Sequence, residues 1–300
     1  MRDEESKQKT KRPTHDPRPT THGFMNLIIQ GADVETTALK ELAKLSGANA
    51  IEQVAPNVFR LPNAKPADAI PALCAKERLD FAFVPEDRRL ANFKLLVTDM
   101  DSTLITIETI DELASLVGKK DEVAEITTQA MRGEIPYDES LRRRVAVLKG
   151  LDESAIDRIY SERVKLSPGG DKLIAGAKKA GFKILLVSGG FTHVTEKLKA
   201  RLKLDYTRAN TLKVAGGKLT GEVEGTIVNA DVKREALIKV RDELGIAKEQ
   251  IVGVGDGAND LKFLAECGVS VAYHAKPVVN QQATHAISHV GLDGVLRLFN

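Results

Sequence analysis

Cysteine is scarce in this chain: Cys74 and Cys267 are the only two among 300 residues, far apart and in no spacing that suits a metal. That excludes a disulfide framework and fits a reducing compartment. An excess of charge of one sign is also missing, because 44 basic and 42 acidic residues leave a net charge of +2. No nucleic acid and no anionic membrane surface is therefore expected as the main partner. No apolar run approaches the ~18 residues needed to cross a bilayer, and the basic, polar N-terminus lacks the apolar centre of a signal peptide. Internal repeats are absent. What remains is 42% hydrophobic and 29% charged, the balance of a globular protein long enough for two domains. A cytoplasmic enzyme is the expectation.

Residues 1–23 are polar and charged, carry three prolines and have almost nothing to bury, which predicts a disordered tail. Met25-Asn26-Leu27 has the character of a chain start, so Met25 is an expected first residue of the natural protein; N-terminal sequencing that returned Met1 or Arg2 would remove this expectation. Over residues 24–88 short apolar segments change type in turn. Leu27-Ile28-Ile29 predicts a strand, and Leu39, Leu42 and Leu45 recur at helical spacing over Thr37–Leu45. Ile51–Val54 and Val58–Leu61 predict two strands joined at Pro56-Asn57. Pro66–Lys76 predicts a helix opened by its proline, and Phe81–Val84 a last strand. The order βαββαβ is that of a small ferredoxin-like α+β module. It holds no cluster of acids, histidines or cysteines, so binding, dimerisation or structural support is expected of it rather than chemistry.

Asp87-Arg88-Arg89 links this module to a second unit, residues 89–300. That unit is organised around Leu95-Leu96-Val97-Thr98-Asp99-Met100-Asp101-Ser102-Thr103. A continuous apolar run predicts a strand buried on both faces, and parallel sheets place their chemistry just beyond the carboxyl ends of such strands. Further strands are predicted over Lys183–Val187, Tyr206–Ala209, Ile251–Val254 and Val269–Ala272, with a glycine-punctuated hairpin over Leu212–Val228. Helices over Lys172–Ala180, His193–Leu202 and Lys233–Leu244 alternate with them. Between Ile105 and Leu166 only helical patterns occur, over Glu108–Val117, Asp121–Met131, Tyr137–Leu148 and Ser154–Val164. The fold class that follows is α/β, a doubly wound, Rossmann-like parallel sheet with a helical cap over about residues 106–166 inserted after the first core strand.

Four clusters follow predicted strand or hairpin segments: Asp99 with Asp101, Ser188 with Gly189, Lys233, and Asp256 with Asn259 and Asp260. Paired aspartates can bind a hard cation such as Mg²⁺, divide nucleophile and acid/base roles, or cap a helix. A phosphate ester site needs one of each cluster. A carboxylate nucleophile meets like-charge repulsion from a phosphate dianion, which a divalent ion between them relieves. A small hydroxyl residue beside glycine lets backbone N–H groups approach phosphate oxygens, and a lysine adds a point charge. Singly, each cluster has a plain structural reading: a strand-to-helix turn at Ser188-Gly189-Gly190, a solvated lysine at Lys233, a turn at Gly255-Asp256-Gly257.

Taken together, Asp99-Met100-Asp101-Ser102-Thr103, Ser188-Gly189-Gly190-Phe191, Lys233 and Gly255-Asp256-Gly257-Ala258-Asn259-Asp260 resemble the four motifs of the haloacid dehalogenase superfamily. The resemblance covers about Phe93 to the C-terminus, and with Glu108–Glu112, Ser140–Val145 and Gly217–Gly221 it is nearest to the phosphoserine phosphatase family. It implies hydrolysis of O-phospho-L-serine to L-serine and phosphate, the last step of serine biosynthesis. It implies Asp99 as the nucleophile that becomes an aspartyl-phosphate and Asp101 as the general acid/base. It implies Mg²⁺ held by the Asp99 and Asp256 side chains and the Asp101 backbone carbonyl. Asn259 and Asp260 would order the metal's waters, while Ser188, Gly189 and Lys233 would bind phosphate, with Asn259 also near the substrate. The small N-terminal module resembles ACT-like domains, which suggests a homodimer through it or the sensing of an amino acid.

Substrate choice would rest on the cap. Glu108 for the ammonium and Arg144 for the carboxylate, with Met131 and Tyr137 nearby, are what the resemblance implies. The helix pattern supports Arg144 independently, because it falls inside the stripe of Leu141, Val145 and Leu148 whereas Arg142 and Arg143 point away. Glu108 could equally be a first-turn acid favoured by the helix dipole. His193, Glu196 and Lys197 are expected to be solvated, and His274 to be structural. A phosphatase or phosphotransferase for another small phosphorylated metabolite is the alternative within the class. A signalling receiver domain is the alternative outside it, and the helical insertion counts against that reading.

Overall fold

A computed structural model of the chain describes residues 25–300; the tail expected over residues 1–23, and residue 24, lie outside the described residues. The first elements are β1 (Met25–Gln30), α1 (Thr36–Ser46), β2 (Glu52–Ala55), β3 (Val58–Leu61), α2 (Ala69–Lys76) and β4 (Asp80–Pro85). They form a four-stranded sheet of order β2-β3-β1-β4, with every pairing antiparallel. Alternation divides β1 between two cores. Leu27 and Ile29 pack with Leu39, Leu42 and Ile70 of the helices, whereas Ile28, with Ala82 and Val84 of β4, joins the large core of the following unit. The second helix starts later than the proline suggested. Pro66 lies ahead of it, and Pro71 occupies its first turn, where a missing N–H leaves no helical bond unmade.

A 3-10 turn over Leu90–Asn92 leads to β5 (Leu95–Thr98). Then come α3 (Thr109–Leu116), α4 (Lys120–Met131), α5 (Tyr137–Ala146), α6 (Ser154–Glu162), α7 (Gly170–Lys179), β6 (Lys183–Phe191), α8 (Thr192–Leu202), β7 (Tyr206–Ala215) and β8 (Lys218–Glu224). The chain ends with α9 (Ala230–Leu244), β9 (Ile251–Gly255), α10 (Leu261–Leu264), β10 (Val269–Tyr273), α11 (Pro277–Gln282), β11 (His285–Ile287) and a 3-10 segment over Leu292–Leu298. The seven-stranded sheet has the order β11-β10-β9-β5-β6-β7-β8. It is parallel except for the β7–β8 hairpin. All four residues of β5 are buried, because helices cover both faces: Leu95 and Val97 meet Leu237 and Val240 of α9, and Leu96 meets Leu173 and Ile174 of α7. The expected doubly wound α/β fold is the one observed. Its switch point lies between β5 and its two neighbours, the position at which such sheets open a crevice beyond their carboxyl ends.

Helices α3 to α6 form the insertion, and no strand is found within it. Its two ends meet: Ile105 bridges Leu166 and Thr106 N–H donates to the Lys165 carbonyl at 3.0 Å. The hairpin braces the far side, since Gly150 N–H donates to Leu219 and Leu219 N–H to Leu151 at 2.8 and 2.9 Å. Gly221, at φ +85°, brings the hairpin within 3.3 Å of the Ala146 backbone, measured from where a Cβ would stand. Only glycine tolerates both conditions.

Other elements also differ from expectation. The short strand over Tyr206–Ala209 and the first arm of the hairpin are one strand, β7, because Asn210 is spanned rather than broken. The strand expected to stop at Val187 runs to Phe191, where Phe191 pairs Asn210 after an irregularity. The helix and edge strand after Tyr273 carry no clear pattern in the sequence. That edge anchors the small sheet. The buried Asp80 carboxylate of β4 accepts the N–H groups of Ser288, His289 and Val290 at 2.7, 2.9 and 3.0 Å, and Phe93 packs edge-on to Phe299 at 4.8 Å.

Candidate active site

The carboxyl ends of β5, β6 and β9 and the insertion enclose a cavity of about 780 Å³. Its floor is built by a tight loop after β5. Met100, Leu104 and Ile105 are fully buried and anchor that loop, with Ile105 N–H returned to the Met100 carbonyl at 2.9 Å. Ser102 takes a left-handed φ of +57°, uncommon for a residue with a Cβ. The consequence is that Asp99 and Asp101, two apart on the chain, both line the cavity while the apolar residue between them faces the core.

Asp99 is held through its backbone and through one carboxylate oxygen. Its N–H donates to Val254 of β9 at 3.0 Å, and its Oδ1 accepts the Lys233 ammonium at 2.7 Å. Its Oδ2 has no hydrogen-bond partner among the described residues. Lys233 is wholly buried and also donates to Asp260 Oδ1 at 2.7 Å. Burial alone would lower the lysine's pKa, but the carboxylates of Asp260 and Asp99 outweigh it and hold the ammonium firmly protonated. The other Asp260 oxygen accepts the Asp256 and Gly257 N–H groups at 3.1 and 3.0 Å, so both of its oxygens are committed.

Asp256 Oδ1 accepts the Thr103 hydroxyl at 2.6 Å. Burial and the charge of Asp260 push the Asp256 carboxyl up to about 6, and the same two causes push Asp99 up. One carboxylate oxygen from each of Asp99, Asp256 and Asp260 lies within 4.8 Å of the others. Three acids around one ammonium leave excess buried negative charge, which a further cation would offset. The cluster is consistent with a divalent metal ion.

Asp101 differs from Asp99 in its surroundings. Thr109, at the start of α3, donates from both its hydroxyl and its backbone N–H to Asp101 Oδ1. Burial and the charge of Glu108 nevertheless push the carboxyl up to about 7. Such a group exists in both protonation states near neutrality, as a general acid/base must. Opposite, Ser188 is buried and its Oγ accepts the Gly190 N–H at 2.8 Å. A Cβ on Gly189 would stand 2.2 Å from the Tyr137 hydroxyl, and one on Gly190 would stand 2.5 Å from Asp101 Oδ2. A side chain at either position would have to displace the cap tyrosine or the acid.

The cap contributes Glu108, Met131, Tyr137 and Arg144 to the same cavity wall. Glu108 sits at the N-cap position of α3 but makes no capping bond; it accepts the Ser102 hydroxyl at 2.6 Å instead. Glu108 thus lines the cavity while still standing at the N-terminus of α3, where the helix dipole also favours an acid. Arg144 reaches only the Ser140 carbonyl, at 3.4 Å, and pairs with no carboxylate among the described residues. Met131 is 64% exposed at the cavity mouth. Asn259 is half-buried on the wall, its Oδ1 against Gly257.

Several residues that shape the site escaped the sequence reading. Buried Asn210 donates to the Gly189 carbonyl at 2.7 Å and accepts the Val228 N–H at 2.8 Å, so it fixes the Ser188-Gly189 turn from an adjacent strand. Asn229 caps α9, the helix that carries Lys233, and also donates to Asp138 of the cap at 3.1 Å. Nothing in β7, which also carries Thr207, Arg208, Thr211 and Lys213, singles out Asn210 in the sequence. His193, Glu196 and Lys197 are not simply solvated. His193 meets Glu153 at 3.4 Å and Lys197 meets Asp157 at 2.9 Å, which ties α8 to the last cap helix, and Glu196 accepts the Thr207 hydroxyl. His274 is exposed, with a φ of +45° and Nε2 at 3.3 Å from the Val290 carbonyl.

Comparison with known proteins places this geometry. The sequence pattern of the haloacid dehalogenase-like hydrolases matches residues 96–265, and a domain of unknown function, DUF4072, matches residues 27–70. A phosphoserine phosphatase of Polaromonas sp. is 50% identical over 217 residues, 71% of this chain and 92% of that protein. Among solved structures, a probable phosphoserine phosphatase from Vibrio cholerae, unliganded, superposes with a TM-score of 0.80 at 35% identity, covering 91% of this chain and 85% of that one. A phospho-aspartyl intermediate analogue of a phosphoserine phosphatase superposes with a TM-score of 0.66 at 39% identity, covering 69% of this chain and 99% of that one.

Proposed function

The chain belongs to the haloacid dehalogenase-like hydrolases, and from that premise we propose that it hydrolyses O-phospho-L-serine to L-serine and phosphate with Asp99 as the nucleophile. The observation that carries the assignment is the division of the two aspartates. Asp99 is pinned through Oδ1 to Lys233 and keeps Oδ2 unengaged, while Asp101 is held through Oδ1 by Thr109 with its pKa pushed up to about 7. One acid is arranged to attack and the other to move a proton.

In the first step Asp99 Oδ2 attacks phosphorus, the bond to the serine oxygen breaks, and the proton of Asp101 passes to that oxygen as serine leaves. In the second step Asp101, now ionised, takes a proton from water as the water oxygen attacks the aspartyl-phosphate. Phosphate departs and both carboxyl groups return to their starting states. Lys233 and the N–H groups of the Ser188-Gly189 turn oppose the charge on the transferring phosphoryl oxygens, the main task in such a transfer. Asp99 and Asp256 side chains with the Asp101 backbone carbonyl would hold Mg²⁺, which an all-oxygen donor set suits. When bound, the ion supplies charge neutralisation between nucleophile and phosphate dianion. Asp260, both of whose oxygens are committed, acts outside that ligand set. In the cap, Glu108 would take the substrate ammonium and Arg144 its carboxylate, beside Met131 and Tyr137.

The test is phosphate release from O-phospho-L-serine, phosphothreonine and sugar phosphates, with Mg²⁺ and with chelator. Preference for phosphoserine, lost with chelator and in Asp99→Asn, is the expected result. A sugar phosphate turned over equally well would overturn the roles of Glu108 and Arg144 and favour another small metabolite. Among the described residues no helix is long and apolar enough to cross a membrane. A cytoplasmic homodimer joined through the small N-terminal sheet is part of the proposal, and light scattering of the full chain at monomer mass would remove the dimer.

A further inference from the structure

We infer that Lys276 is the residue that draws the substrate's phosphate dianion into the cavity, a steering cation at the mouth that acts on charge rather than by a fixed contact. This rests on the phosphatase reading above. Away from the reacting aspartates the cavity wall carries the carboxylates Glu108, Asp111 and Asp138, together with Asp231, which Lys262 pairs at 2.6 Å, and its lining cations are Arg144 and Lys276. Such a wall repels a dianion unless something at the entrance reverses the field. Lys233 does not serve, since it is buried and matched by two carboxylates.

Lys276 is placed for that task. It is exposed, it forms no salt bridge among the described residues, and its ammonium rests only against the Met131 thioether of the cap, at 3.9 Å. Sulfur is a weak acceptor and leaves the positive charge unneutralised. The backbone is held where the side chain is not: Lys276 N–H donates to the Asp256 carbonyl at 3.1 Å, and Pro277 follows at the first position of α11. The charge is thus tethered to the loop that carries Asp256 and reaches across to the cap's exposed Met131. An unpaired cation over an acidic funnel raises the local concentration of an anionic substrate.

At a separation of roughly 10 Å in water, one unit charge acting on a dianion changes its local population about three- to fivefold at low salt. The experiment compares wild type with Lys276→Gln, Lys276→Glu and Lys276→Arg as Mg²⁺-loaded proteins. It measures kcat/KM on O-phospho-L-serine and on p-nitrophenyl phosphate, and Kd for inorganic phosphate by calorimetry. K276Q is expected to lower kcat/KM and phosphate affinity by about three- to fivefold for every anion, with kcat within about twofold and an unchanged melting temperature. K276E is expected to lose about tenfold or more, K276R to recover wild-type values, and the salt dependence of kcat/KM to flatten in K276Q. A loss confined to phosphoserine would overturn steering in favour of direct contact with the amino-acid portion. Unchanged phosphate Kd and salt slope would overturn it outright. Cleavage of p-nitrophenyl phosphate without phosphoserine turnover would reject the substrate assignment while the Lys276 effect is still read, and the phosphate Kd reads it without any turnover.

Discussion

Lys233→Met removes one ammonium from the site and keeps most of the side chain's volume, so no large cavity is left. In the native protein that ammonium bridges Asp99 and Asp260 at 2.7 Å each, with Lys233 and Asp260 fully buried. Breaking a buried pair by deleting one partner costs about 3–5 kcal/mol, because the remaining charge is uncompensated. For a unit of this size that corresponds to a melting temperature lower by roughly 6–20 °C. Urea unfolding of the metal-free proteins isolates the effect. The pH dependence identifies its cause. Burial raises the folded-state pKa of Asp99 above its unfolded value, so the stability of such a group is intact below the unfolded pKa and is lost as pH rises.

Deleting the ammonium, which lowers the Asp99 pKa, raises that carboxyl further, so the gap between wild type and K233M is expected to narrow as pH falls from about 7 toward 4. Asp260→Asn in the K233M background is expected to recover part of the loss, giving a double-mutant cycle far from additive. A K233M protein within about 1 kcal/mol of wild type, or a pH-independent loss, would refute the argument that a charge cluster and not side-chain packing is at stake.

Other outcomes follow from the same geometry. Gly190→Ala sets a methyl 2.5 Å from Asp101 Oδ2 and 2.7 Å from Met100 Cε; phosphate release is expected to fall about 10²-fold, with a stability cost of about 1–3 kcal/mol in urea titration. His285 accepts the Arg88 guanidinium at 2.7 Å, and burial with that charge pushes its pKa down to about 3. Its contribution is complete above the unfolded value and is lost as pH falls toward 3, so wild type should lose about 2–3 kcal/mol at pH 4 that His285→Gln does not. Mg²⁺ binding to the folded protein alone is expected to raise stability by about 2.7 kcal/mol at a hundred times Kd, read as a higher melting temperature that is abolished in Asp256→Asn.

The parts of the site legible in the sequence are those where chemistry dictates residue type at a strand's end. Asp99, Asp101, Ser188, Gly189, Asp256 and Asp260 stand at the carboxyl ends of β5, β6 and β9, and parallel strands announce themselves by continuous apolar runs. Lys233 shows the limit of that legibility. Sequence places it in a helix start, where a lysine is ordinarily solvated, yet the sheet carries that start to within 2.7 Å of acids 134 and 27 residues away. Thr103, Thr109 and Asn210 are harder still, since each is one polar side chain whose meaning lies wholly in its partner. Asn210 also explains a strand misjudged in length: its amide bonds the Gly189 carbonyl and the Val228 N–H, so a residue that weakens a strand locally is stabilised by a neighbour's turn. The same logic accounts for Asp80, isolated in sequence but holding three N–H groups some 208–210 residues on. Local pattern reports which face is buried and where catalytic types cluster; it is blind to pairings made by long-range closure, and those pairings are what orient Asp99 and Asp101 differently in one loop.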